Sequence, residues 1–286
     1  MKLEDSTSSK LAIGSVQFGL DYGISNQEGK TSPAEVGQIL KRASENGISL
    51  IDTAYAYGES EMVLGQNDLS SFQLVSKFPA CPTHPLRNLL EASLDRLEVE
   101  SIYGYMAHRA EDLIEKPSLW EELRELKSDG RVYKIGCSLY RPETLQCLWE
   151  KGFHPEIIQI PFNVFDQRFQ HLLLRIKDTG CEIHARSAFL QGIFFIDPRN
   201  LDSFFDPLKE PIRNIQTRFP NAADRAAQLV HFCLKNPLID RVIIGVISAN
   251  QLDENLRALW SNNISNLEPQ EFTEELLMPH LWPKGI

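Results

Sequence analysis

Four polar side chains of this sequence are of the types that can protonate a carbonyl oxygen. A short apolar run ends in Asp52, with Tyr57 in the loop that follows, and two further apolar runs end in Lys77 and His108. A phenol has an unperturbed pKa of about 10, which is too high for an effective proton donor near neutrality. An ammonium close to Tyr57 would lower that pKa, and Asp52 would hold the ammonium in place. The imidazole of His108 could donate a second hydrogen bond to an oxygen that becomes negative.

Protonation of a carbonyl oxygen is one half of a reduction, because a hydride must also reach the carbon. No protein side chain supplies a hydride, whereas a nicotinamide cofactor does. Each of the four residues also has an ordinary structural interpretation. A strand-end Asp often caps the next helix, a Tyr packs over that helix, a Lys extends to water, and a lone His is more often packed than catalytic. If the fold places all four side chains at the same rim, the chemical interpretation is favoured.

The elements that must position these residues alternate between short apolar strands and amphipathic helices. The first helix has an N-cap Ser32, Pro33 at its first position and Glu35 three residues after the cap. The other predicted helices cover residues 59–66, 85–97, 119–128, 142–151, 167–179, 222–235 and 248–260. The predicted strands cover residues 11–18, 50–53, 73–77, 101–107, 134–138, 157–162, 182–187 and 242–245.

Eight strand–helix units predict an α/β protein whose parallel sheet closes into a single (β/α)8 TIM barrel over residues 1–286. A long loop at about 189–221 and a C-terminal tail at about 263–286 complete the predicted domain. The alternative, a doubly wound open sheet, would carry a Gly-rich turn after its first strand, and no GxGxxG occurs. The barrel is therefore the favoured architecture.

Polar residues stand where a barrel carries its active site, at the carboxyl ends of the strands. Side chains two positions apart in a strand share a face, so Lys77 shares a face with Val75 and His108 with Met106. The same period predicts that one set of polar side chains points into the barrel mouth: Asp52, Lys77, His108, Ser138, Gln159 and Arg186.

Composition excludes several other classes of function. The formal charge of −10 and the pI near 5.3 argue against a nucleic-acid partner. The five cysteines have no CxxC spacing and the seven histidines no HxH or HExxH spacing, so no metal site is predicted. The first ten residues are polar, and no apolar run has the length of a membrane span. We expect a cytoplasmic protein with reduced thiols.

The motif Asp52-Thr53-Ala54-x-x-Tyr57-Gly58, with Lys77 and His108, resembles the aldo-keto reductase superfamily over residues 11–259. This resemblance implies that Tyr57 is the general acid, that Asp52 and Lys77 tune it, and that His108 orients the carbonyl. The stretch Ala-Arg-Ser-x-Phe-Leu-Gln-Gly at 185–192 resembles a bacterial branch associated with surface-sugar synthesis, which implies a sugar-like carbonyl. The implied cofactor-binding residues are Gln17, Ser138, Gln159, Arg186, Ser187, Gly245, Ser248, Gln251, Glu254 and Asn255.

Two departures from the family pattern concern the nicotinamide ring. Leu139 stands where the family has an Asn that contacts the carboxamide, and Arg186 stands where a Tyr stacks on the ring. A guanidinium also stacks on aromatic planes. Because it would repel an oxidised, cationic nicotinamide, Arg186 is expected to favour the reduced cofactor.

The segment that the family uses for the 2′-phosphate of NADP carries no charge at Val246, Ile247 or Gln251. The backbone amides that follow Ser248 at the start of the last helix remain a candidate anion site. The cofactor is therefore NADP(H) or NAD(H).

The predicted protein is an NAD(P)H-dependent oxidoreductase that reduces a small aldehyde or ketone, as a monomer or small homo-oligomer. A sugar dehydrogenase working in the oxidative direction would use the same residues. A cofactor-binding sensor or subunit with little turnover is a third possibility. The departures at Leu139 and Arg186 favour it, whereas the presence of Asp52, Tyr57, Lys77 and His108 opposes it.

Overall fold

The computed structural model describes residues 10–261 and 265–283 as a closed barrel of eight parallel strands. Neighbouring strands pair in sequence order, and β1 pairs with β8 to close the barrel. The predicted (β/α)8 fold is therefore confirmed. The strands are β1 (Leu11–Gly14), β2 (Leu50–Asp52), β3 (Gln73–Phe78), β4 (Ile102–Ala107), β5 (Val132–Ser138), β6 (Ile157–Pro161), β7 (Glu182–Arg186) and β8 (Arg241–Gly245).

Helices surround the strands and bury one apolar face each. In the helix from Pro33 to Glu45, the Ser32 hydroxyl accepts a hydrogen bond from the Glu35 amide, as the cap motif predicts. The helices are α1 (Val16–Gly19), α2 (Pro33–Glu45), α3 (Ser60–Gly65), α4 (Leu86–Leu97), α5 (Glu111–Glu115), α6 (Ser118–Ser128), α7 (Pro142–Glu150), α8 (Leu173–Asp178), α9 (Asp206–Arg218), α10 (Ala222–Leu234), α11 (Ala249–Leu259) and α12 (Glu274–Leu277).

The barrel interior is filled in layers. A buried apolar layer consists of Ala12, Leu50, Val75, Met106, Ile157 and Ile243. Two residues further along their strands stand Asp52, Lys77, His108, Gln159 and Gly245. Because side chains alternate along a strand, the same period places these residues on the inner face, one layer above the apolar plug. This layer is the floor of the site.

The first strand is shorter than predicted. It ends at Gly14, and the chain turns into α1, which packs against α3 and buries Phe18. Gly19 ends this turn, and a Cβ there would lie 1.8 Å from the Tyr57 carbonyl oxygen. The apolar residues after the strand thus pack outside the barrel, and the turn brings the first loop against the loop that carries Tyr57.

The segment predicted as a long loop at 189–221 is in part helical. Short 3-10 turns at Leu190–Phe195, Pro198–Asn200 and Ser203–Phe205 lead into the thirteen-residue α9. Pro211 inside α9 weakened the helical pattern. α5 is a further helix that the sequence pattern did not indicate.

The described part of the tail, 265–283, packs back on the barrel. Leu276, Leu277 and Met278 are buried, and the Gln270 amide donates to the Val164 carbonyl. The predicted tail also includes residues 263, 264 and 284–286, which lie outside the described residues, as do the N-terminal nine. Within 10–261 and 265–283, no helix has both the length and the hydropathy needed to span a bilayer.

Candidate active site

A buried ion pair forms the centre of the site. The Lys77 ammonium donates to both carboxylate oxygens of Asp52, at 2.7 and 2.8 Å, and to the Thr53 carbonyl at 2.9 Å. The amide nitrogen of Gln159 donates to the same carboxylate at 2.7 Å. The side chain of Lys77 is fully buried and that of Asp52 is 5% exposed. Burial lowers the pKa of Lys77, and the Asp52 charge opposes that shift.

Tyr57 and His108 lie above this pair. Their ring centroids are 5.6 Å apart with an edge-on geometry, and the Lys77 Nζ lies 5.2 Å from the centroid of the Tyr57 ring. The loop that carries Tyr57 is held by the Tyr57 amide, which donates to the Ala54 carbonyl, and by the Tyr55 amide, which donates to the Lys77 carbonyl. The four residues selected from the sequence are therefore brought together.

The protonation of both aromatic groups follows from burial. Burial raises the pKa of Tyr57, and the nearby Asp52 charge raises it further, while Arg186 lowers it. This differs from the lowered pKa expected at Tyr57, because burial and the Asp52 charge outweigh the positive charge of Arg186. Burial lowers the pKa of His108 to about 3, with Lys77 and Arg186 as further causes. Tyr57 is therefore a phenol and His108 a neutral imidazole at ordinary pH.

A cavity of about 750 Å³ opens over these groups. Its lining includes Asp52, Tyr57 and His108 as well as residues that follow β8. Most of the predicted cofactor residues line it: Gln17, Ser138, Gln159, Arg186, Ser187, Gly245, Gln251, Glu254 and Asn255. Ser248 does not line the cavity. Its hydroxyl caps α11 by accepting a hydrogen bond from the Gln251 amide at 3.1 Å.

Gln17 and Gly245 form a close contact in the middle of the cavity. A Cβ on residue 245 would lie 2.8 Å from both the Nε2 and the Oε1 of Gln17, so a larger residue there would displace this amide from its present position. The Gln17 Oε1 is buried and has no hydrogen-bond partner among the described residues. An unpaired buried acceptor is costly, and a bound polar ligand would satisfy it. The cavity therefore fits a long polar molecule.

The two departures at the nicotinamide end have clear structural consequences. Leu139 is fully buried in the core outside the barrel, so its side chain makes no contribution to the cavity. Arg186 donates to the Leu139 carbonyl and to the Ser187 hydroxyl, both at 3.1 Å. Its guanidinium lies 4.1 Å from the centroid of the Tyr140 ring. One face of the guanidinium is thus already stacked on an aromatic side chain.

Other residues of the cavity had no signal in the sequence. Tyr140 follows β5, and its ring contacts that of His280 from the tail at 4.7 Å between centroids. Asn163 is not a lining residue; it is buried after β6 and donates a hydrogen bond at 2.9 Å to the carbonyl of Ser187, a lining residue with a positive φ of 62°. Such contacts join distant parts of the chain, so no local pattern marks them. Further lining residues are Tyr22, Asn26, Phe189, Gln191, Phe195, Ala222, Ala226 and Pro279.

Comparison with known sequences identifies the same family. A sequence profile described as the Aldo/keto reductase family matches residues 10–274. An uncharacterized oxidoreductase of Mycobacterium bovis is 29% identical over 140 residues, or 46% of this chain and 42% of that protein. The matched stretch thus spans less than half of that relative.

Solved structures show the same fold. The holo form of an aldo-keto reductase from Bacillus halodurans has a TM-score of 0.70 and 20% identity, over 90% of this chain and 88% of that one. A Pseudomonas aeruginosa protein assigned to the aldo-keto reductases has a TM-score of 0.64 and 24% identity, over 87% of this chain and 89% of that one. Because the family profile covers the whole barrel, the chain belongs to the aldo/keto reductase family.

Proposed function

We propose that the protein reduces an aldehyde or ketone with a reduced nicotinamide cofactor and that Tyr57 is the general acid. The observation that carries this proposal is the position of Tyr57 and His108 over the buried Asp52–Lys77 pair, where they line the cavity. A buried ion pair contributes little to stability. The arrangement of these four polar groups is therefore better explained by proton transfer than by stabilisation of the fold.

In the proposed mechanism, the carbonyl oxygen of the substrate lies between Tyr57 and His108. The neutral imidazole of His108 donates one hydrogen bond to this oxygen and so orients the carbonyl. The cofactor supplies the hydride when it is bound. Tyr57 gives its phenolic proton to the oxygen as negative charge develops there. The phenolate left on Tyr57 is stabilised by the ammonium of Lys77, which Asp52 keeps in place.

The residues proposed to hold the cofactor line the remaining length of the cavity. Ser138 and the amide oxygen of Gln159 would hold the carboxamide, since the amide nitrogen of Gln159 already donates to Asp52. The unpaired oxygen of Gln17 would accept a hydrogen bond in the middle of the cavity. Glu254 and Asn255 would contact the adenosine end.

The end of the cavity nearest Tyr57 combines aromatic rings with polar groups, among them Tyr22, Asn26, Tyr140 and His280. Aromatic faces and hydrogen-bonding side chains together suit a polyhydroxylated substrate. This composition supports the sugar-like carbonyl that the bacterial branch implies, which stays a prediction.

The oxidative direction would use the same residues, with the phenolate of Tyr57 as the base. The direction of turnover stays a prediction.

The proposal is tested by fluorescence titration with NADH and NADPH, followed by turnover of a generic aldehyde. We expect at least one of the reduced cofactors to bind, and Tyr57→Phe to bind it equally well but to lose about 10²-fold or more in kcat. Tyr133→Phe is the matched control, since Tyr133 is 65% exposed and lies outside the cavity. Equal turnover by both variants would contradict the role of Tyr57. Binding without turnover by the unaltered protein would favour a sensor.

A further inference from the structure

We propose that Glu35 makes the adenosine end of the cavity select NADH over NADPH. This inference rests on the proposed function, because it assigns a preference to the cofactor proposed there. Glu35 belongs to α2, which packs beside α11. Glu35 does not itself line the cavity; it bonds to Ala249, which lies two positions from the lining residues Ile247 and Gln251.

The start of α11 is already occupied by the chain's own acceptors. The Glu35 carboxylate accepts a hydrogen bond from the Ala249 amide at 2.6 Å. The Gln251 amide donates to the Ser248 hydroxyl at 3.1 Å, and the Gln251 side-chain oxygen accepts from the Ile247 amide at 2.9 Å. The amides of a helix N-terminus form an anion site when they are free. Here three of them are bonded within the protein, one of them to a carboxylate.

This turn is the part of the cavity that an adenosine would reach. The reacting nicotinamide must lie near Tyr57, and a dinucleotide places its two nucleosides on opposite sides of a pyrophosphate. The cavity lining includes Tyr57 in the loop after β2 and, at the end of β8 and beyond it, Gly245, Ile247, Gln251 and Asn255. The adenosine ribose is therefore expected beside the turn that Glu35 caps.

The charges at this end oppose a 2′-phosphate. Among the described residues that line the cavity, the only Lys or Arg is Arg186, which lies at the Tyr57 end. Glu254 adds a second carboxylate to the lining. Arg42 of α2 does not line the cavity, and its guanidinium is paired with Glu45 and Asp253. A phosphate dianion would meet carboxylates and bonded amides, whereas a ribose hydroxyl can donate to a carboxylate.

The test is direct titration of the full chain by quenching of its tryptophan fluorescence with NADH and NADPH at low salt. We expect NADH to bind about tenfold or more tightly than NADPH. Glu35→Gln removes the charge, and Glu35→Ala also frees the Ala249 amide. Both should tighten NADPH by about tenfold and leave NADH within about threefold. Raising the salt should narrow the gap in the unaltered protein, because it screens the repulsion.

The matched control removes a carboxylate from another helix. Glu143→Gln serves for this: it removes one exposed carboxylate from α7, which does not line the cavity, and should leave the preference unchanged. Equal affinity of the unaltered protein for both cofactors, or an unchanged preference in both Glu35 variants, would overturn the inference and leave the proposed function standing. Failure of both cofactors to bind would overturn both.

Discussion

Replacing Lys77 with Met removes one member of a buried ion pair while keeping the length of the side chain. In the unaltered protein the ammonium satisfies both oxygens of Asp52 and the Thr53 carbonyl. In Lys77→Met the Asp52 carboxylate loses both hydrogen bonds from the ammonium and keeps the one from Gln159. The converse change, Asp52→Asn, leaves the ammonium buried without its counter-charge.

The expected cost follows from the burial of both groups. Removing one partner of a buried pair costs about 3–5 kcal/mol, because the remaining charge is left uncompensated. With an m-value of about 3 kcal/mol/M for a chain of this size, the urea midpoint should fall by about 1 M in either single variant. The double variant, Asp52→Asn with Lys77→Met, should be less destabilised than the sum of the two, since no buried charge is left.

The pH dependence separates this explanation from a simple packing defect. In Lys77→Met the carboxylate can take up a proton as the pH falls, so the loss should shrink toward acid. In Asp52→Asn the already lowered pKa of Lys77 falls further, so its loss should shrink toward alkali. Urea unfolding followed by circular dichroism at about pH 5 and about pH 9 measures both slopes. Equal losses at both pH values, together with additive effects in the double variant, would refute the reasoning.

Two further predictions concern the groups around this pair. Burial lowers the pKa of His108 to about 3, below its unfolded value of about 6.5, so its contribution to stability is complete above the unfolded value and is lost as the pH falls toward about 3. The slope from this group is at most about 1.4 kcal/mol per pH unit. His108→Asn should remove that slope from the pH dependence of unfolding, and a slope that persists would show that another group causes it. In the unaltered protein, kcat/KM should have no inflection near pH 6.5. Arg186 is expected to disfavour the cationic, oxidised nicotinamide. In Arg186→Tyr, the Kd for the oxidised cofactor divided by the Kd for the reduced cofactor should therefore fall by about fivefold, as measured by titration with both forms. A ratio equal to that of the unaltered protein would exclude this role.

The sequence predicted the positions that depend on local periodicity and missed those that depend on long-range contacts. Lys77 and His108 could be assigned to the barrel mouth because their strands alternate strictly between faces. Glu35 was recognised only as part of a cap motif, since its contact with Ala249 joins residues 214 positions apart. His280 reaches the cavity from the tail, where no repeat or motif marks it.

The pKa of Tyr57 was also outside the reach of sequence reasoning. The residue types predicted an ammonium that lowers it, but the sequence does not tell which of two neighbours that ammonium contacts. In the structure Lys77 bonds to Asp52, and burial then dominates. The outcome depends on distances of a few ångströms, which composition and spacing do not contain.

Pairing of the first strand with the last has a consequence for synthesis. β1 leaves the ribosome before the other seven strands, and its neighbour β8 follows only when all of them have been translated. Until then β1 and the most recent strand both present unpaired backbone groups, which are templates for aggregation. A fragment that stops before Arg241 keeps two open sheet edges permanently. The chain therefore depends on its last strand for solubility as much as for the shape of its cavity.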